Sequence, residues 1–142
     1  MNSNDSDVRA LLESRVDACQ AKDVDRLMSL YADNIVYYDV VPPLRFAGQD
    51  EVRRNFERWF AGYDGPISLE THDLTVATGD DVAFAHMLHL DSGNRTNGLR
   101  SAIWVRSSVC CRRSGDTWLI THEHISVPIN PENLTAWCPP DM

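Results

Sequence analysis

The 142-residue chain has no apolar run approaching the ~18–20 residues of a membrane-spanning helix. Its opening stretch, Met1-Asn2-Ser3-Asn4-Asp5-Ser6-Asp7, carries neither a basic nor an apolar segment, so no secretory signal is read there. There is no Gly-x-Gly-x-x-Gly, no Gly-x-x-x-x-Gly-Lys-[Ser/Thr] and no Gly-x-Ser-x-Gly. That removes the common dinucleotide, phosphate-loop and nucleophile-elbow chemistries. Basic charge is scarce: 13 Lys and Arg against 21 Asp and Glu leave a net charge of −8. Such a surface repels phosphate backbones and anionic lipid, so neither nucleic acid nor membrane is expected as a partner. The four cysteines, Cys19, Cys110, Cys111 and Cys138, match no zinc spacing. Adjacent Cys110 and Cys111 point to opposite faces of any strand that carries them. Reduced thiols in a cytoplasmic protein are the expectation.

What remains is ordinary globular material, 43% hydrophobic and 24% charged. The length suits one domain over residues 1–142, with a core at about 8–128 and an irregular tail at 129–142. Val8, Leu11, Leu12, Val16 and Cys19 recur at helical spacing. Asp23 is placed to cap a second helix, whose face is Val24, Leu27, Met28 and Tyr31. Ile35 to Val41 reads as a strand ended by Pro42-Pro43. Asp50 then caps a third helix carrying Val52, Phe56, Trp59 and Phe60, and Gly62 stops it. Four long strands follow, Ile67 to Thr78, Val82 to Leu90, Leu99 to Arg113 and Trp118 to Val127. Short turns join them into an antiparallel meander. The order α-α-β-α-β-β-β-β predicts an α+β domain: a curved, mostly antiparallel sheet wrapped by three N-terminal helices, with room for a cavity on its concave side.

Several strings in this order resemble the NTF2-like superfamily of cone-shaped domains, and within it the SnoaL-like, ketosteroid-isomerase-homologue branch. They are Ala21-Lys22-Asp23-Val24-Asp25, Leu30-Tyr31-Ala32-Asp33, Phe46-Ala47-Gly48 and Tyr63-Asp64-Gly65-Pro66-Ile67. Gly79-Asp80-Asp81-Val82-Ala83-Phe84-Ala85-His86 and the run from Trp118 to Pro128 complete the set. The superfamily hosts isomerases, cyclases, dehydratases, hydrolases and assembly modules, so the likeness speaks for fold before function. In the steroid isomerases that it resembles, the proton-transferring aspartate sits at the strand position of Asp39. Their oxyanion-binding tyrosine falls here at about Arg15, and their protonated carboxylic acid at about Val109. With both donors missing, steroid isomerisation itself is not expected.

Asp39 is the leading catalytic candidate, because a carboxylate set among Ile35-Val36-Tyr37-Tyr38 and Val40-Val41 suits general-base work. A solvated aspartate at a strand end is the plain alternative. By the period of two, Trp118, Ile120, His122, His124 and Ser126 share one strand face. His124 is assigned as a second catalytic group and His122 as a ligand contact, against the alternative of hydrogen-bonded structural histidines. A His-x-His metal site needs a third ligand, which Asp39, His86 or His89 would supply only through the tertiary fold. No metal and no cofactor are therefore expected. Arg106, inside its strand, resembles an arginine that relatives carry there and would meet Asp39, Glu123 or a ligand carboxylate, against the alternative of a stem lying on the sheet. Tyr37 and Tyr38 alternate, one inward and one outward; either could face the cavity, and Tyr38 is taken as the ligand contact. His86, on the face of Phe84, Leu88 and Leu90, and Trp59, on the third helix, complete the substrate contacts; for Trp59 plain core is the alternative.

Two functions fit this inventory. One is a cofactor-free isomerase, cyclase or dehydratase that moves a proton on a small apolar carbonyl compound. The other is a non-catalytic ligand-binding or dimeric assembly module. The second is prompted by the final strand, where Trp118, His122, His124 and Ser126 also resemble the kinase association domain of the same superfamily. A homodimer through the outer sheet face is expected in either case.

Overall fold

The computed structural model describes residues 3–139. Helix α1 spans Ser3–Ala21 and buries Val8, Leu11, Leu12 and Cys19 of the expected stripe together with Ala18, while Val16 is partly buried. Arg15 lies on the same stripe and is equally buried. Lys22, at φ 56°, turns the chain, and the Asp23 side chain accepts from the Arg26 N–H to start α2, Val24–Met28. This helix is shorter than its apolar spacing suggests. It ends at Ser29, and Tyr31 already opens strand β1, Tyr31–Tyr38.

After the cis Pro42-Pro43 bond, a two-residue strand β2, Phe46–Ala47, pairs back onto β1. Helix α3, Gln49–Ala61, is capped by Gly48 at φ 85° rather than by Asp50, and buries Val52, Asn55, Phe56 and Phe60. The long strands are β3 (Ser68–Thr78), β4 (Val82–Asn94), β5 (Arg100–Ser114) and β6 (Thr117–Ser126). They pair antiparallel in sequence order, and β1 joins β6 in parallel. The six-stranded sheet therefore runs β2-β1-β6-β5-β4-β3. The C-terminal segment is not wholly irregular: β7, Ile129–Asn130, and β8, Thr135–Ala136, form a short antiparallel ladder. Residues 140–142 of the expected tail lie outside the described residues.

The helices and the inner face of the sheet enclose the core. Ala83, Ala85 and Met87 of β4, Val105 and Val109 of β5, and Trp118, Ile120 and Ile125 of β6 all point into it. One irregularity decides which side chains join them. Cys110 pairs with His122 but Cys111 pairs with Ile120, so Thr121 is an extra residue in β6. This β-bulge breaks the alternation. Ile120 points inward before it, and Glu123 and Ile125 point inward after it.

Candidate functional site

Glu123 is fully buried where the bulge turns it, and Arg15 reaches it from α1. Arg15 Nε donates to Glu123 Oε1 at 3.0 Å, and Arg15 Nη2 donates to Oε2. The Tyr31 hydroxyl donates to Oε1 at 2.7 Å. Burial disfavours the guanidinium charge, but Glu123 outweighs it and holds Arg15 well above its ordinary range. Burial pushes Glu123 up, but Arg15 and hydrogen bonds from Arg15, Tyr31 and Tyr37 prevail and hold it below the usual range. Burial, then the charge of Glu123, raise both the Tyr31 and Tyr37 phenols, so each stays protonated and can donate.

Below this ion pair, between the sheet and α1 and α3, lies a cavity of about 200 Å³. Its apolar walls include Tyr37, Phe56, Trp59, Tyr63, Val105 and Ile125. Asp39 enters it one residue beyond β1, on the same side as Tyr37. Its side chain is only 14% exposed, and Oδ2 accepts from Asn55 Nδ2 at 2.7 Å. Oδ1 accepts from the Val40 N–H at 2.7 Å. Arg58, a turn-spaced neighbour of Asn55 on α3, donates to Asn55 Oδ1 at 2.9 Å and approaches Asp39 Oδ2 at 4.0 Å. The Arg95 guanidinium stacks on the Tyr63 ring, 4.6 Å from its centroid, and lines the same cavity.

Strand β4 contributes His89 and Asp91, two residues apart and pointing the same way. Thr71 Oγ1 lies 3.1 Å from His89 Nδ1. Burial, then nearby Arg15, hold the imidazole down to about 4, so it is neutral at physiological pH. Burial lifts the Asp91 carboxyl to about 7, with Arg15 pulling it back and Asp39 adding to the rise. Among the described residues, no group of three or more His, Cys, Asp or Glu side chains is placed to hold a metal ion.

Of the residues singled out in the sequence, Asp39 and Trp59 line this cavity together. Tyr38, His86, Arg106, His122 and His124 do not. They lie on the outer face of the sheet. His122 and His124 pack edge-on against the Tyr38 ring, with centroids 4.7 and 5.5 Å away, and Arg106 Nε donates to Ser126 Oγ at 3.1 Å. His122 Nδ1 donates to the Val36 carbonyl at 2.7 Å. The bulge at Thr121 is the reason for the two histidines: an unbroken alternation sets them beside Trp118 and Ile120, and the extra residue turns them outward. Tyr37 is the inward tyrosine of its pair. In β4 both faces are apolar, and the inward one carries His89 rather than His86.

Arg15, Glu123, His89, Asp91 and Asn55 were not assigned to the site from sequence. Arg15 carried a usable signal, an arginine on the Val8–Leu12–Cys19 stripe that needs a buried anion.

A cavity between helices and the inner face of a six-stranded sheet, lined by aromatic and polar side chains, fits the NTF2-like class of α+β domain. The chain belongs to the SnoaL-like domain family, whose profile matches residues 8–130. No curated protein matches the sequence. Among solved structures it is similar to an NTF2-like protein of unknown function from Pseudomonas putida KT2440. The two are 28% identical with a TM-score of 0.89, over 99% of this chain and 97% of that one. A ketosteroid isomerase-like protein from Erwinia carotovora atroseptica SCRI1043 is 17% identical with a TM-score of 0.77, over 89% and 97%. An NTF2-like superfamily protein from Salmonella enterica serovar Typhimurium LT2 is 14% identical with a TM-score of 0.79, over 89% and 92%.

Proposed function

We propose that this SnoaL-like protein is a cofactor-free proton-transfer enzyme of the isomerase, cyclase or dehydratase type. Its substrate is a small carbonyl compound with an apolar body. Asp39 is the base that moves a proton α to the carbonyl. The carrying observation is the setting of Asp39: a largely buried carboxylate, oriented by Asn55 and the Val40 N–H, at the wall of an aromatic-lined cavity. Orientation by fixed donors keeps one carboxylate geometry ready for the substrate C–H. Arg58 and Arg95 bring positive charge to the same cavity, where a developing enolate needs it. His124 and the other outer-face residues are given no part in this chemistry. The likeness to a ketosteroid isomerase-like protein is in keeping with the reaction class.

The test is exchange of α-protons of small cyclic ketones in D2O, followed by proton NMR. The wild type is expected to accelerate exchange, and Asp39→Asn to lose at least ~100-fold of that acceleration. Equal rates would remove Asp39 from the mechanism.

A homodimer across the outer face of β4, β5 and β6 is proposed as well. Phe84 is 53% exposed there, and no acidic side chain points outward from these three strands although the chain carries −8 overall. A second copy covers that face without like-charge conflict. This face also favours the assembly-module reading, in which the cavity binds without turnover. The free thiols and acidic surface fit a cytoplasmic protein, without nucleic-acid or membrane partners.

A further inference from the structure

Six buried side-chain polar atoms lack a hydrogen-bond partner among the described residues, and three of them belong to residues that line the cavity holding Asp39. They are Arg15 Nη1, His89 Nε2 and Asp91 Oδ1. Arg15 and His89 are each pinned on one side and unpaired on the other. Glu123 occupies Arg15 Nε and Nη2, leaving Nη1. Thr71 occupies His89 Nδ1, leaving Nε2. Asp91 is held by its strand, two residues from His89. Buried polar atoms are almost always paired, so three orphans in one cavity mark a place where a polar ligand group completes the set.

The balance of charge says which group. Arg15 comes from α1 and is matched by Glu123 of β6. Asp39, beyond β1, is faced by Arg58 of α3 at 4.0 Å. Arg95, beyond β4, adds a cation with no carboxylate of its own. Tyr37 of β1 and His89 of β4 are uncharged near neutrality, and Tyr63 beyond α3 lines the same cavity. Leu69 of β3 and Ile103 of β5, which pair with Asp91, carry no charge. With Asp91 protonated the cavity holds one positive charge in excess.

We infer that Arg15, His89 and Asp91 anchor a carboxylate carried on the ligand, so that the substrate class is a compact aromatic or alicyclic acid. One carboxylate oxygen accepts from Arg15 Nη1, and the other accepts the Asp91 O–H. His89 Nε2 supplies the third polar contact. The aromatic walls, Tyr37, Phe56, Trp59 and Tyr63, take the ring. The inference rests on the reading of this cavity as the ligand site, and deepens it by naming the end of the ligand remote from the reacting carbon. Because burial lifts Asp91 to about 7, the anchor accepts a carboxylate below that pH and repels it above.

The experiment is calorimetric titration of the full chain with benzoate and with neutral benzamide at pH 6.0, 7.0 and 8.5. Benzoate is expected to bind at pH 6.0 at least ~10-fold more tightly than benzamide, and to weaken by about tenfold per unit above pH 7. Asp91→Asn, which keeps a neutral donor of the same shape, is expected to make benzoate binding nearly independent of pH. Equal affinity for both probes, no binding of either at millimolar concentration, or an unchanged pH slope in Asp91→Asn would each overturn the anchor. Asp39→Asn, which removes a negative charge from the cavity, is expected to keep the preference for benzoate over benzamide while losing at least ~100-fold of the α-proton exchange. Loss of exchange with no carboxylate preference would thus sink the anchor and spare the base; the reverse result would do the opposite.

Discussion

Two side chains on one strand pull the pH dependence of folding in opposite directions. Asp91 is protonated in the folded chain up to about pH 7, whereas an ordinary aspartate releases its proton near 3.8. Its contribution to stability is complete below the lower value and is lost as pH rises through the higher one. His89 stays neutral in the folded chain down to about 4, against an ordinary 6.5. Its contribution is complete above the ordinary value and is lost as pH falls to the folded one. Between about pH 4.5 and 6 the unfolded chain binds one proton at the histidine and the folded chain one at the aspartate, so the two slopes cancel. Asp91→Asn is expected to leave a stability that rises by about 1.4 kcal/mol per pH unit over that range. His89→Gln is expected to leave one that falls by a similar amount. Urea unfolding of each variant at pH 4.8 and 5.8 checks both signs, and parallel slopes in the two variants would show that these groups are not buried neutral.

At the scale of the element, strand β6 turns on a single residue. Deleting Thr121 restores strict alternation with Ile120, Glu123 and Ile125 still inward and His122 and His124 still outward. Arg15 then keeps its buried partner, whereas Glu123→Ala removes it, at a cost of about 3–5 kcal/mol. The deletion is expected to fold and Glu123→Ala to be severely destabilised, while Thr121→Ala, which removes only the 3.2 Å bond to the Cys110 carbonyl, costs about 1 kcal/mol or less. Circular dichroism and urea titration of the three variants separate these outcomes; an unfolded deletion variant would mean that the fold needs the bulge itself. The same bulge marks how far sequence carries. The α-α-β-α-β-β-β-β order, the long strands and the placement of Asp39 and Trp59 follow from periodicity and turn residues. The facing of His122 and His124 does not, because a bulge adds one residue without a compositional mark. Nor does that of His86 and His89, because Ala83, Ala85 and Met87 inside β4 are no more apolar than Phe84, Leu88 and Leu90 outside. Tyr31 continues the helical spacing of Val24, Leu27 and Met28, yet the chain leaves the helix at Ser29, and Leu30 N–H already bonds back to Leu27.

For the whole molecule, the outward side of β4 is a large apolar surface. A strand with both faces apolar is normally buried on both. Here the helices cover only the inner face. Phe84 and Val82 of β4 are left 53% and 47% exposed, and Tyr38 of β1 39%. Around them Arg106, Ser108, His122 and His124 present donors rather than carboxylates, on a molecule whose remaining surface is acidic. In the proposed homodimer, a second copy related by a twofold axis would bury both apolar patches against each other and keep the acidic surfaces apart. Sedimentation equilibrium is expected to give twice the 16.1 kDa chain mass at micromolar concentration. Phe84→Glu places two carboxylates near that axis and is expected to weaken association by at least ~100-fold, since like charges across an interface cost several kcal/mol. The cavity lies on the other side of the sheet, so the monomeric variant should still bind its ligand. A wild type that sediments as a monomer would leave the apolar outer face without its proposed cover and refute the dimer.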